Sequence, residues 1–126
     1  MKCMINSLCI SMYRNIIERL RKWKDKKDRK PLILAGARQV GKTYILKRFG
    51  EEEFANVAYI NCEDNVLAKN LFMEDYNMQR IILAIGAITG QSIEPGRTLI
   101  ILDEIQESPR GLSVLKYFCE KAPQYH

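Results

Sequence analysis

Gly36-Ala37-Arg38-Gln39-Val40-Gly41-Lys42-Thr43 has the residue types and the spacing of a phosphate cradle. Its glycines permit backbone angles that other residues resist, so successive N–H groups can turn inward around phosphate oxygens. The Lys42 ammonium is placed to reach β- and γ-phosphates, and the Thr43 hydroxyl to ligate Mg²⁺. A helix starting at this point adds its positive end to the same anion site. Two readings stay open for Arg38: contact with a phosphate or a neighbouring acid, or a solvent-facing place in the loop.

A second pattern lies further along the chain. Leu99-Ile100-Ile101-Leu102 is followed directly by Asp103-Glu104. Ligands of parallel sheets bind beyond the carboxyl ends of the strands. A buried strand ending there in two acids would set both carboxylates beside the phosphates. Asp103 would hold Mg²⁺ through water, and Glu104 would polarise an attacking water as general base. Gln106 and Glu107 follow; they read as helix-start and capping residues or as additional site residues. Asn61, Glu63 and Asp64, at the end of an earlier apolar run, read as a turn or as groups facing the site or a partner.

The elements that must position these groups alternate between strand and helix. Tyr13, Ile16, Ile17, Leu20 and Trp23 recur at helical spacing and predict an amphipathic helix over Tyr13–Lys24. Trp23 then packs that helix on the core or stacks on a base. Leu32–Ala35 predicts a buried strand, Lys42–Phe49 a helix stopped by Gly50, and Val57–Ile60 a second strand. Val66–Phe72 predicts a short helix. Asn77 is placed to cap a helix over Met78–Thr89, with Ile81, Ile82, Ile85 and Ile88 facing inward. Glu94–Arg97 is a turn, and Thr98–Leu102 the third strand. Ser108 and Pro109 predict a helix start, with Leu112, Leu115, Tyr117, Phe118 and Cys119 supplying apolar surface up to about Lys121. The alternation implies an α/β fold with a parallel sheet.

The chain has 126 residues, 47% hydrophobic and 28% charged, which suits one globular domain and not a disordered segment. No apolar run is long enough to span a membrane. The net charge of +5 is concentrated in Arg21–Lys30. That stretch is a solvated helix end and linker, or a contact for nucleic acid or an acidic partner. Cys3, Cys9, Cys62 and Cys119 include no C-x-x-C pair, so a zinc site is not expected; Cys62 and Cys119 read as core residues of a reduced, cytoplasmic protein. Met1–Ser11 makes a poor signal peptide. It reads as a disordered tail or as a gene-start artefact preceding Met12.

Together these pieces resemble an ATPase of the AAA+ superfamily. The type is the prokaryotic one followed by a C-terminal nuclease-like domain of unknown function. The resemblance covers about Tyr13 to His126. It rests on Arg29–Leu34, Gly36–Thr43, Tyr59–Glu63, Pro95–Thr98, Asp103–Glu107 and Leu115–Glu120. It implies a P-loop sheet flanked by helices, a Walker A at Gly36–Thr43, a Walker B at Leu99–Glu104, and Mg-ATP as the ligand. A homo-oligomer is an open possibility for the intact protein, with no role at a membrane. Members continue through a further strand that lies between Leu32–Ala35 and Leu99–Leu102 in the sheet, so the chain is expected to be a fragment of an ATPase whose hydrolysis needs the intact protein. The implied layout is a tail over 1–12, a helix with a basic linker over 13–30, and a partial ATPase domain over 31–126. The rival reading is a nucleotide-gated module that binds nucleic acid or protein without hydrolysis; a base at Glu104 favours the ATPase.

Overall fold

A computed structural model of the chain describes residues 7–32, 41–73, 75–108 and 110–126. The elements are α1 (Ser7–Asp25), α2 (Lys42–Glu53), β1 (Asn56–Asn61), α3 (Val66–Asn70), α4 (Met78–Thr89), β2 (Thr98–Asp103), a 3-10 turn (Ile105–Glu107) and α5 (Gly111–Lys121). The fold is α/β, with a parallel sheet flanked by helices. The strand expected at Leu32–Ala35 lies outside the described residues beyond Leu32.

β1 and β2 pair in parallel, from Asn56 opposite Thr98 to Asn61 opposite Asp103. Successive side chains of a strand point to opposite faces, and each face is covered here. Val57, Tyr59, Leu99 and Ile101 meet Ile17, Leu20, Phe49 and Phe54, which come from α1, α2 and the turn after α2. Ala58, Ile60, Ile100 and Leu102 meet a second cluster that includes Phe72, Ile81, Ile85 and Val114. Burying a side chain of this size contributes roughly 1.5–3 kcal/mol. The two clusters therefore clamp the sheet between helix layers, which is why the strands read as continuous apolar runs.

Backbone parity separates the two edges of β2. The carbonyls of Arg97 and Asp103 accept from Asn56 and Cys62, on the β1 side. The N–H of Ile100 points to the other edge, where it donates to the His126 carbonyl at 2.9 Å, and Gly96 N–H donates to Gln124 at 3.1 Å. The edge of β2 where the resemblance implies a further strand is therefore met by Gln124 and His126 at these two points.

Several elements form as their residues predict. The Asn77 side chain accepts from Arg80 N–H, Ile81 and Ile85 are fully buried, and Gly90 ends α4 in the left-handed conformation at φ 69°. Ile82 and Ile88 pack on the same cluster, partly buried. The turn before β2 forms, with Arg97 N–H donating to the Glu94 carbonyl at 3.1 Å. α3 stops at Asn70 and passes into a turn, so Leu71 and Phe72 are core residues but not helical ones. α1 begins at Ser7, ahead of the expected Tyr13, and no Gly or Pro between them would break it.

Three expectations are overturned. Gly50 does not stop α2: the helix runs on to Glu53, and Gly50 is buried within it. A methyl group built on Gly50 would lie 2.3 Å from Val57 Cγ2, so glycine here permits close approach of α2 to β1. Ser108 does not cap α5. Its hydroxyl donates to the Lys69 carbonyl at 2.9 Å, and α5 starts at Gly111 after Arg110 takes a left-handed conformation at φ 63°. Pro109 lies outside the described residues. Leu112 is 56% exposed and lies outside the core; the buried residues of α5 are Gly111 and Val114. Cys62 is buried as expected, whereas Cys119 is half-buried.

The basic stretch is largely exposed, as a solvated helix end and linker, but three of its basic residues are tied down. Arg21 pairs with Glu53 at 2.7 Å, and Lys24 donates to the Glu53 carbonyl at 2.7 Å, so α1 grips the C-terminal end of α2. Arg29 donates to the carbonyls of Pro123 and Tyr125 at 2.9 and 3.2 Å. Trp23 is structural: its ring packs on the α1–α2 cluster and its N–H donates to the Lys30 carbonyl at 2.7 Å.

Candidate nucleotide-binding site

The phosphate-cradle residues Gly36, Ala37, Arg38, Gln39 and Val40 lie outside the described residues. The end of the motif is described. Gly41 sits at φ 76°, ψ 15°, a left-handed conformation that costs glycine little and other residues more. Its carbonyl accepts from Ile45 N–H at 3.0 Å and so begins α2. Having no side chain, Gly41 cannot cap the helix itself, and the first-turn N–H groups of a helix point outward along its axis. Lys42 and Thr43 occupy the first two positions of α2. An anion placed there would meet the N–H groups, the helix dipole and the Lys42 charge together.

Asp103 is the last residue of β2. The Thr43 hydroxyl donates to Asp103 Oδ2 at 2.9 Å. This bond joins the end of the glycine motif to the end of the acidic strand. The two sequence patterns, sixty positions apart along the chain, are in direct contact. A cleft of about 220 Å³ runs between α1, α2, β2 and α5. Most of its wall is apolar, from residues such as Leu20, Phe49, Leu99, Ile101 and Phe118, and Lys42, Thr43, Asp103, Glu104 and Gln106 also line it.

Glu104 leaves the strand by a sharp turn. It holds φ 53°, ψ 40°, a left-handed conformation uncommon for a residue with a side chain. Such positions persist only where the surroundings over-determine them. Here the Glu104 carbonyl accepts from Glu107 N–H at 3.0 Å, and Gln106 donates its amide to the Glu104 carboxylate. Gly111 packs against this turn so closely that an added methyl would lie 2.5 Å from the Ile105 carbonyl oxygen. Gln106 thus orients Glu104, while Glu107 closes the 3-10 turn. Asn61 takes the turn role: its side-chain oxygen accepts from Glu63 N–H at 2.9 Å, and its amide donates to Asp64 at 3.1 Å.

Two residues beside the site, Tyr59 and Lys47, lie outside Gly36–Thr43 and Leu99–Glu104. The Tyr59 hydroxyl donates to the same Asp103 Oδ2, at 2.6 Å. Asn61 is the register partner of Asp103, so Tyr59 reaches it diagonally from two positions earlier on the same face. Lys47, one helical turn after Thr43, places its ammonium 3.9 Å from the centre of the Tyr59 ring. Burial, and then the bond to Asp103, push the Tyr59 phenol above its ordinary range, so it remains a donor. Burial also pushes the Cys62 thiol up to about 11, with the charge of Asp103 adding to the effect. One signal for Tyr59 exists in the sequence: a tyrosine on a core strand, once partly covered, needs a partner for its hydroxyl. Which partner it finds depends on the β1–β2 register.

A family model described as an AAA domain matches residues 28–126. The chain belongs to this AAA domain family. No curated protein and no solved structure gives a significant match. At the level of the family, an AAA domain points to nucleotide binding and ATPase-type activity. Among the described residues, no helix is long and apolar enough to cross a membrane.

Proposed function

We propose that this AAA domain binds Mg-ATP between the start of α2 and the end of β2, and that the intact protein hydrolyses it. The observation that carries the reading is the 2.9 Å hydrogen bond from Thr43 to Asp103. By donating its proton to the carboxylate, the Thr43 hydroxyl keeps its lone pairs for a cation. A hydroxyl beside a carboxylate is an all-oxygen donor pair of the kind Mg²⁺ prefers. Thr43 would hold the ion directly, and Asp103 would hold it through water. The ion would supply neutralising charge to the β- and γ-phosphates.

The remaining roles follow from position. Lys42 is the counter-charge to the β- and γ-phosphates. The Gly36–Thr43 motif would supply backbone N–H groups to their oxygens, with Arg38 as a phosphate contact or a loop residue. Glu104, held by Gln106, accepts a proton from the attacking water. The preference for adenine rests on the family alone. A cytoplasmic setting accompanies this reading. The nucleotide-gated binding module is the second reading, since Lys22, Lys26, Lys27 and Lys30 of its basic stretch are exposed; Glu104, a base that a pure switch does not need, favours hydrolysis.

The test is ATP turnover by the intact protein and its Glu104→Gln variant. The variant keeps the shape and hydrogen bonding of Glu104 but loses the base. It should bind Mg-ATP as the wild type does and release phosphate about 10²- to 10⁴-fold more slowly. Equal turnover would remove Glu104 as the base. Binding by both proteins with turnover by neither would move the reading to a nucleotide-gated module.

A further inference from the structure

Asp103 Oδ2 accepts two hydroxyl donors, one from the helix packed on this face and one from the neighbouring strand. Thr43 approaches from α2 at 2.9 Å and Tyr59 from β1 at 2.6 Å. The terminal torsion of an aspartate is broad, so an unbraced carboxylate at a strand end swings easily. Two donors on one oxygen, fixed in different elements, remove that freedom. Tyr59 is itself well held. Its ring packs on the cluster beneath α1 and α2, and the Lys47 ammonium covers its face at 3.9 Å. The Thr43 hydroxyl has a second duty toward the cation in the reading above. The Tyr59 hydroxyl lies on the neighbouring strand, two positions from the register partner of Asp103.

We infer that Tyr59 is a positioning residue for the cation site: it holds the Asp103 carboxylate in the orientation that receives Mg²⁺, and Lys47 holds Tyr59. The inference rests on the proposed Mg-ATP site and adds a residue to it that neither sequence motif contains. Tyr59 acts through Asp103 and touches neither nucleotide nor ion. Groups that hydrogen-bond metal ligands typically tune cation affinity by about 10- to 100-fold.

Tyr59→Phe isolates the effect, because the ring, its packing and the Lys47 contact are kept and only the donor is lost. N-methylanthraniloyl-ATP is titrated into the intact wild type and variant, first in EDTA and then over a series of MgCl2 concentrations. The expected result has two parts. Nucleotide affinity in EDTA stays within about twofold, and the MgCl2 concentration giving half of the Mg-dependent gain rises about tenfold. In an Asp103→Asn background the same substitution should add nothing, since the hydroxyl acts through the carboxylate. An unchanged MgCl2 midpoint would overturn the inference. So would an equal loss of affinity in EDTA and in Mg²⁺, which would assign Tyr59 a purely structural role. If the wild type shows no Mg-dependent gain while Tyr59→Phe melts as the wild type does, the proposed site itself fails and the role of Tyr59 falls with it.

Discussion

Gly50→Ala should destabilise the protein, although alanine is the better helix former. Gly50 lies inside α2, seven positions after Thr43, where the helix crosses β1. A glycine-to-alanine change in a helix interior is normally worth about 1 kcal/mol in favour of alanine. Here the new methyl would lie 2.3 Å from Val57 Cγ2 and 3.1 Å from Leu99 Cδ2. Ordinary carbon contacts are near 3.5 Å, so α2 or Val57 must yield by about 1.2 Å. Val57 is β-branched and stiff about χ1, so it cannot swing aside cheaply. Overpacking of this kind costs about 1–3 kcal/mol, and the severity of the contact places it near or above the upper end. The net expectation is a loss of about 2 kcal/mol or more. Lifting α2 also draws Thr43 away from Asp103, so Mg-dependent nucleotide binding should weaken as well. Urea denaturation of the wild type, Gly50→Ala, Val57→Ala and the double variant measures the coupling between the two sites. In the Val57→Ala background, Gly50→Ala should become neutral or stabilising. A Gly50→Ala single variant more stable than the wild type by about 1 kcal/mol would refute the close approach.

Other consequences can be checked separately. Asn77→Ala should cost about 1 kcal/mol by removing the cap of α4, and Asn77→Asp should keep most of it; urea midpoints decide. Burial holds the His126 imidazole below its ordinary range; its bond to the Lys24 carbonyl opposes this, and the nearby Arg29 and Lys24 charges add to it. Its folded pKa therefore lies below the unfolded value near 6.5, and its contribution to stability is present above that pH and lost as pH falls through the folded pKa. The wild type should lose more stability than His126→Gln between pH 7.5 and pH 5.5, which are assay conditions chosen about one unit either side of the ordinary value; equal losses would contradict this. Native-state maleimide labelling read by peptide mass mapping should modify half-buried Cys119, whereas buried Cys62, with its thiol pushed up to about 11, should react only on unfolding.

Legibility differed from element to element for physical reasons. α4 could be read almost residue for residue, because its cap, its apolar period and its stop are all local signals. The place of Asp103 and Glu104 at the end of β2 was legible because the apolar run Leu99–Leu102 stops at them, whatever their role. Gly50 misled, since glycine serves equally to end a helix and to admit a close neighbour, and only the packing of α2 on Val57 distinguishes the two. Ser108 misled in the same way. Its hydroxyl found the Lys69 carbonyl, a partner far away in sequence, in place of the next helix. Leu112 carried the apolar character of a core residue but lies on the outer side of α5. Tyr59 and Lys47 were invisible as site residues because their relation to Asp103 exists only once β1 and β2 pair in register and α2 lies across them.

The central claim is that Lys42, Thr43 and Asp103 form one Mg-ATP site. Calorimetric titration of ATP into the intact protein and its Lys42→Ala variant, with Mg²⁺ and with EDTA, tests it most directly. A hydrogen bond to a charged group is worth about 1.5–3 kcal/mol, which corresponds to a loss of roughly 10- to 100-fold in affinity. The wild type should bind ATP more tightly with Mg²⁺ than without it, and Lys42→Ala should lose affinity by that factor. Equal affinities for the two proteins, or wild-type binding indifferent to Mg²⁺, would contradict the site.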